Sequence, residues 1–88
     1  DLGPHGVRVN AIAPGPVATS ALRARVSARS GHSAEAEEQA LQSMADGNAL
    51  RRLVTVEEVA DAAFFLCSPA SSGITGTVLP VDAGIEHL

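Results

Sequence analysis

Val7-Arg8-Val9-Asn10-Ala11-Ile12-Ala13-Pro14-Gly15-Pro16-Val17-Ala18-Thr19 is an apolar, β-branched run stopped by Pro-Gly-Pro and followed by a hydroxyl residue. β-branched side chains fit a pleated, packed surface. Apolar positions on both faces suit a parallel strand covered on two sides. The pattern predicts a strand over residues 7–13. Pro14 and Pro16 end it, since neither nitrogen can donate to a ladder. The strand empties into a shaped loop over 14–19. Just upstream, Gly3-Pro4-His5-Gly6 reads as a turn.

Downstream of the loop, Leu22 and Val26 give a weak helical pattern from Ser20 to about Ser30, with Arg23, Arg25 and Arg29 elsewhere around it. Gly31-His32-Ser33 interrupts that pattern. Ser33 then offers an N-cap, and Glu35, Glu37 and Glu38 crowd the next first turn, where they complement the helix dipole. Leu41, Met44 and Ala45 form a thin stripe before Asp46-Gly47-Asn48 stops it. Polar, Ala-rich and thinly anchored, residues 20–48 read as a mobile helical flap.

Thr55-Val56-Glu57-Glu58 is a capping box, with Val54 and Val59 placed as a hydrophobic staple. Val56, Val59, Ala60, Ala63, Phe64 and Cys67 recur at helical spacing, which predicts a helix over 56–67 with one buried face. Ser68-Pro69 ends it. Gly73-Ile74-Thr75-Gly76-Thr77-Val78-Leu79-Pro80-Val81-Asp82-Ala83-Gly84 carries a second strand, expected over 76–82. Pro80 places that strand at a sheet edge, where its missing N–H faces no partner. A strand–helix–strand crossover implies two parallel neighbours with a helix across them. Two strands alone make no stable open sheet, so the pattern asks for more strands than it contains.

Composition narrows the function. Of 88 residues, 45% are hydrophobic but only 2% aromatic, so the core must be built from Ala, Val, Leu and Ile. Small side chains bury little area each, which favours a piece of a larger domain. A net charge of −4, with six dispersed Arg and no aromatic interleaving, argues against nucleic acid. Cys67 stands alone, which excludes an internal disulfide and a Cys-based metal site. No apolar run approaches the roughly 20 residues of a membrane span. The opening Asp1-Leu2-Gly3-Pro4 carries neither a signal-peptide pattern nor an initiator Met, so a cytoplasmic chain cut from something longer is expected.

The two strand-to-loop blocks, Val7 to Thr19 and Gly73 to Gly84, together resemble the C-terminal part of a short-chain dehydrogenase/reductase. The resemblance covers nearly all 88 residues. It implies an α/β architecture, the C-terminal portion of a doubly wound parallel-sheet Rossmann-type fold. The implied activity is hydride transfer between NAD or NADP and a carbonyl or alcohol substrate. On this resemblance Pro14, Gly15, Pro16, Val17 and Thr19 form the cofactor loop. Val17's backbone would meet the nicotinamide carboxamide, and Thr19's hydroxyl would assist there or at the phosphates. Residues 20–48 become a substrate lid, and helix 56–67 and edge strand 76–82 become contacts in a homo-dimer or homo-tetramer. The family's Tyr-x-x-x-Lys pair has no counterpart, because the chain contains neither Tyr nor Lys. No catalytic residue is therefore assigned, and these residues by themselves are expected to be inactive. A non-catalytic fragment, acting only in binding or oligomer contacts, stands as the alternative.

The remaining polar residues receive structural expectations. Asn10 is a strand amide that needs partners. Asp82 is expected to cap a turn, and Arg52 to be solvated or ion-paired. Ala83 stands where the family has Gly and tolerates positive φ poorly, which puts the shape of that turn in question. His5, His32 and His87 are too dispersed for a metal site, and no metal is expected. The lid shows no charged or aromatic cluster in sequence that names a ligand.

Overall fold

The computed structural model describes residues 2–85. After a short 3-10 turn at Gly3–His5 come strand β1 (Ala11–Pro14), helices α1 (Ser20–Arg29), α2 (Ala34–Asp46) and α3 (Val56–Cys67), a 3-10 turn at Pro69–Ser71, and strand β2 (Val78–Val81). β1 and β2 are parallel neighbours, with Ala11 opposite Val78 and Pro14 opposite Val81. The ladder bonds that frame the pair are Ala11 N–H to Thr77 O at 2.9 Å and Gly15 N–H to Val81 O at 3.1 Å. Backbone groups alternate sides along a strand. Residues 77, 79 and 81 therefore face β1, and Pro80 turns its nitrogen to the opposite, open edge. Pro14 likewise points away from β2.

Both strands are shorter than their apolar runs. β1 begins at Ala11 rather than Val7 and keeps Pro14 as its last residue; β2 covers 78–81 rather than 76–82. Side chains replace the ladder before Ala11. Val9 N–H donates to Thr75 Oγ1, and Gly76 N–H donates to Val9 O. Asn10 bridges the gap with its amide, donating to Ile74 O at 3.1 Å and accepting from Thr77 N–H at 3.0 Å. Gly76, at φ +73°, bends the chain here, so regular pairing starts only beyond it.

Arg8, to which the sequence pattern gave no role, fastens the far end of α3 to this strand. Its guanidinium donates to Ser71 O, Ser71 Oγ and Ile74 O at 2.8–3.1 Å, and to Ser68 O at 3.3 Å. Ser71, 1% exposed, also donates to Leu66 O. Through Ser71 the network satisfies the Leu66 carbonyl, one of those that α3 leaves open at its C-terminus.

At the other end of α3 the capping box forms in both directions, with Glu58 N–H to Thr55 Oγ1 at 3.1 Å and Thr55 N–H to Glu58 Oε1 at 2.9 Å. The face that periodicity marks is only partly covered. Leu66 is the residue of α3 that is buried, whereas Val56, Cys67 and Phe64 are exposed, Phe64 by 76%. α3 packs on β1, β2 and the 3-10 turn that follows it, and two strands cannot roof its whole apolar side. α1 and α2 pack on each other and on no other helix or strand. The result is elongated, with a radius of gyration of 16.6 Å against about 12 Å for a compact domain of this length.

Candidate functional site

The loop after β1 is shaped by contacts on three sides. A Cβ on Gly15 would lie 2.7 Å from Asp82 Cβ and 2.9 Å from Ile85 Cδ1, so only glycine lets the loop sit against the turn that follows β2. Val17 makes an isolated parallel bridge with Val54, in which Ala18 N–H donates to Val54 O at 3.0 Å. Val54 is 3% exposed, which anchors the loop to the residue preceding the α3 cap. Thr19 N–H turns back to Val17 O at 2.7 Å. Among the described residues, Val17 N–H has no acceptor.

Thr19 has a role that its place in the motif did not reveal. It is the N-cap of α1, its Oγ1 accepting from Leu22 N–H at 3.1 Å. An N-cap uses the oxygen as acceptor and leaves the hydroxyl proton free to donate. The sequence signal for this was present: a hydroxyl residue immediately before the first helical turn. Pro14, Val17 and Thr19 border an apolar groove of about 340 Å³, closed on the other side by Val56, Val59, Ala60 and Ala63 of α3. Pro14, Gly15, Pro16, Val17 and Thr19 thus lie on one continuous loop at the carboxyl end of a parallel strand, the position where open α/β sheets bind ligands.

The turn after β2 holds that loop in place. Asp82 Oδ1 accepts from Gly84 N–H at 2.8 Å and Ile85 N–H at 3.3 Å, so Asp82 is a turn former. Ala83 adopts φ +58° and Gly84 φ +81°. The alanine therefore keeps a left-handed turn at a conformational cost on the order of 1 kcal/mol. Two bonds offset it: Leu50 N–H to Ala83 O at 3.0 Å and Ala49 N–H to Gly84 O at 2.8 Å. A Cβ on Gly84 would meet Ala49 Cβ at 2.6 Å, so the chain after α2 is pressed against this turn. Asn48, 4% exposed, completes the junction by donating to Arg52 O at 2.8 Å and bridging to Ile85.

Arg52 forms a fork with Glu58, each nitrogen 2.7 Å from a carboxylate oxygen. That hydrogen-bonded pairing, aided by Thr55 N–H, lowers the Glu58 carboxyl from 4.5 to about 2, and it raises Arg52 in turn. His5 and His32 stay apart from this chemistry. His5 is exposed, His32 shares a hydrogen bond with Ser27 Oγ at 3.2 Å, and His87 lies outside the described residues.

The strand–crossover–strand order, the Pro-Gly loop at a strand's carboxyl end and the Asp82 turn behind it define an α/β nucleotide-fold segment. Residues 1–86 match the family model described as enoyl-(acyl carrier protein) reductase. The chain belongs to the short-chain dehydrogenase/reductase family and represents part of its Rossmann-type fold. It is 45% identical over 86 residues to the NADH-dependent enoyl-[acyl-carrier-protein] reductase of Haemophilus influenzae, a match covering 98% of this chain and 29% of that protein. Its backbone superposes on the aldohexose dehydrogenase of Thermoplasma acidophilum with a TM-score of 0.82 at 32% identity, over 89% of this chain and 31% of that one. YwfH, an NADPH-dependent reductase involved in bacilysin biosynthesis, gives a TM-score of 0.82 at 31% identity, over 99% and 33%. The chain thus spans about a third or less of the proteins it matches.

A nicotinamide ring carries a carboxamide, which needs a donor for its oxygen and an acceptor for its nitrogen. The loop meets the first requirement with Val17 N–H and the Thr19 hydroxyl proton, both without acceptors among the described residues. The apolar groove beside them gives the ring a surface to lie on. The residues present fit the nicotinamide end of the cofactor. They do not fit its phosphates in the usual way, because no Gly-x-Gly turn occurs in the sequence.

Proposed function

We propose that this segment supplies the nicotinamide-side loop and the substrate lid of an NAD- or NADP-dependent oxidoreductase that moves a hydride between cofactor and a carbonyl or alcohol carbon. The observation that carries the reading is the unpartnered Val17 N–H beside the Thr19 hydroxyl, on a loop locked by Gly15 and the Val54 bridge. When bound, the cofactor supplies the hydride chemistry. Val17 N–H and Thr19 Oγ–H hold the carboxamide and so set which face of the ring the substrate meets. Pro14 and Pro16 keep the loop from rearranging, which preorganises those donors. The α1–α2 pair covers the substrate and excludes water when it closes. Protonation of the reacting oxygen must come from a residue outside these 88, since the chain has no Tyr and no Lys. Without that residue the segment binds but does not turn over.

The setting proposed for the enzyme is cytoplasmic, with a small-molecule substrate. No helix among the described residues is long and apolar enough to cross a membrane. Exposed Phe64, Phe65 and Val78 on α3 and β2 support a homo-dimer or homo-tetramer that covers them. In the enzyme that carries this segment, Thr19→Val should weaken cofactor use by about 1–2 kcal/mol, the range for losing one hydrogen bond. Thr19→Ser keeps both cap and donor and should restore the wild-type Michaelis constant for cofactor. An unchanged constant and turnover in Thr19→Val would rule the role out.

A further inference from the structure

Folding brings Arg23 to the sequence neighbours Arg51 and Arg52, far along the chain. Arg23 from α1 and Arg51 and Arg52 from the segment after α2 line one groove of about 250 Å³, together with Ala18, Leu41, Ala45, Leu53, Gln42 and Glu38. Ala18 sits between Val17 and Thr19 in the chain, so the groove takes one wall from the proposed cofactor loop.

The charges in this groove do not cancel. Arg52 is neutralised by the Glu58 fork. Arg51 donates to Asp46 O, a neutral carbonyl at the end of α2, and keeps its charge. Gln42 already occupies Asp46 Oδ1. The Arg23 guanidinium has no hydrogen-bond or ionic partner among the described residues, and Glu38 is the one carboxylate in the lining. Two uncompensated guanidiniums therefore stand against one acid. Arg51 is also held at φ +58°, a strained backbone for a long side chain. Strain of this kind persists only where surrounding contacts enforce it, and it clusters at ligand clamps. The floor is apolar, because Leu41 and Ala45 are buried.

We infer that this groove binds the anionic end of an amphiphilic substrate, a carboxylate or phosphate on an apolar arm, with Arg23 as the specificity-determining residue and Arg51 as its support. The inference rests on the proposed lid reading and adds the substrate class. An apolar arm lies on Leu41, Ala45 and Leu53, the anion meets Arg23 and Arg51, and the reacting carbon is left beside Ala18 and the nicotinamide loop. A neutral substrate of the same length would leave the charge of both guanidiniums uncompensated. Guanidinium geometry accepts carboxylate and phosphate alike, so the two must be separated by experiment.

The test uses the enzyme that carries this segment, labelled with 15N and titrated at constant ionic strength with hexanoate, hexyl phosphate and hexan-1-ol. Saturable shifts at the Ala18, Ala45 and Leu53 amides are expected with one or both anions, and binding at least about fivefold weaker with the alcohol. Arg23→Gln should weaken the anion by about threefold or more, whereas Arg29→Gln on the same helix should not. The stronger of hexanoate and hexyl phosphate identifies the headgroup. Equal binding of anion and alcohol, equal losses in the two variants, or no saturable anion shift each overturns the inference. A separate titration with NADH and NADPH reads the Val17 and Thr19 amides, so failure of the cofactor reading is seen independently of failure of the groove.

Discussion

α3 and the α1–α2 pair are capped by the same chemistry and held by very different amounts of structure. Thr19, Ser33 and Thr55 each accept a hydrogen bond from the first turn of the helix they precede. Beyond the caps the resemblance ends. α3 is tied to β1 and β2, and Arg8 pins the segment just beyond its C-terminus, at Ser68, Ser71 and Ile74, through four hydrogen bonds. The α1–α2 pair buries Val26, Leu41 and Ala45 and rests on no other element. Its hinge, Gly31-His32, has two consecutive left-handed residues at φ 65° and 61°. Isolated helices of this length are marginal in water, so caps alone do not make α1 and α2 rigid. The comparison teaches that the body is set by long-range packing and the α1–α2 pair by local bonds, which suits the lid proposed for it.

The largest effect should come from Gly15→Val, which strikes the joint between loop, β2 turn and body. A Cβ already falls 2.7 Å from Asp82 Cβ, so the valine must displace backbone. Overpacking of this kind costs about 2–3 kcal/mol. Hydrogen exchange across α3 should accelerate until the body loses its advantage over the lid. Wild-type protection in α3 of the variant would show that the joint is softer than its geometry.

A smaller contrast separates the two regions in the unaltered chain. Amides of α3 should exchange at least about tenfold more slowly than those of α1 and α2, because lid openings need break only local contacts. Cofactor and substrate together should slow the lid and leave α3 nearly unchanged. Faster exchange in 56–67 than in 20–48 would reverse the assignment of body and flap.

Much of this division was legible in sequence, and the exceptions have physical reasons. Thr55 and Glu58 at the right spacing announced the α3 cap, a local rule that holds wherever the segment sits. The Pro14–Thr19 loop was recognisable by its motif, but the contact that requires Gly15 depends on Asp82, far along the chain. Strand limits were read too long, because Asn10 and Thr75 take over pairing with side chains, which apolar patterning does not register. The apolar side of α3 was expected to be buried and is partly open, since periodicity marks a face without saying what covers it. Ala83 was flagged as unsuited to positive φ, yet it adopts φ +58° because two bonds from Ala49 and Leu50 hold the turn. Arg23 and Arg51 looked like scattered surface charge. Only the fold of α1 against α2 places them on one groove.

The smallest predicted effect is a dependence on pH confined to the body. Glu58 titrates at about 2 in the folded chain against an ordinary value of 4.5, chiefly because Arg52 hydrogen-bonds its ionised form. A depressed folded pKa means that the unfolded chain binds the proton first. The stabilisation is therefore complete above 4.5 and is lost as pH falls toward 2. Because the pair is exposed, salt should weaken the effect. Loosening on acidification should begin at the first turn of α3, where Glu58 also accepts from Thr55 N–H, and the protection gap between α3 and the lid should narrow across that window. Glu58→Gln separates charge from capping, since glutamine at this position can still close the capping box while losing the ionisation. The variant should melt slightly lower than wild type at neutral pH and converge with it near pH 2. If wild type and Glu58→Gln lose stability in parallel between pH 4.5 and 2, the Arg52–Glu58 fork contributes nothing to the firmness of the body.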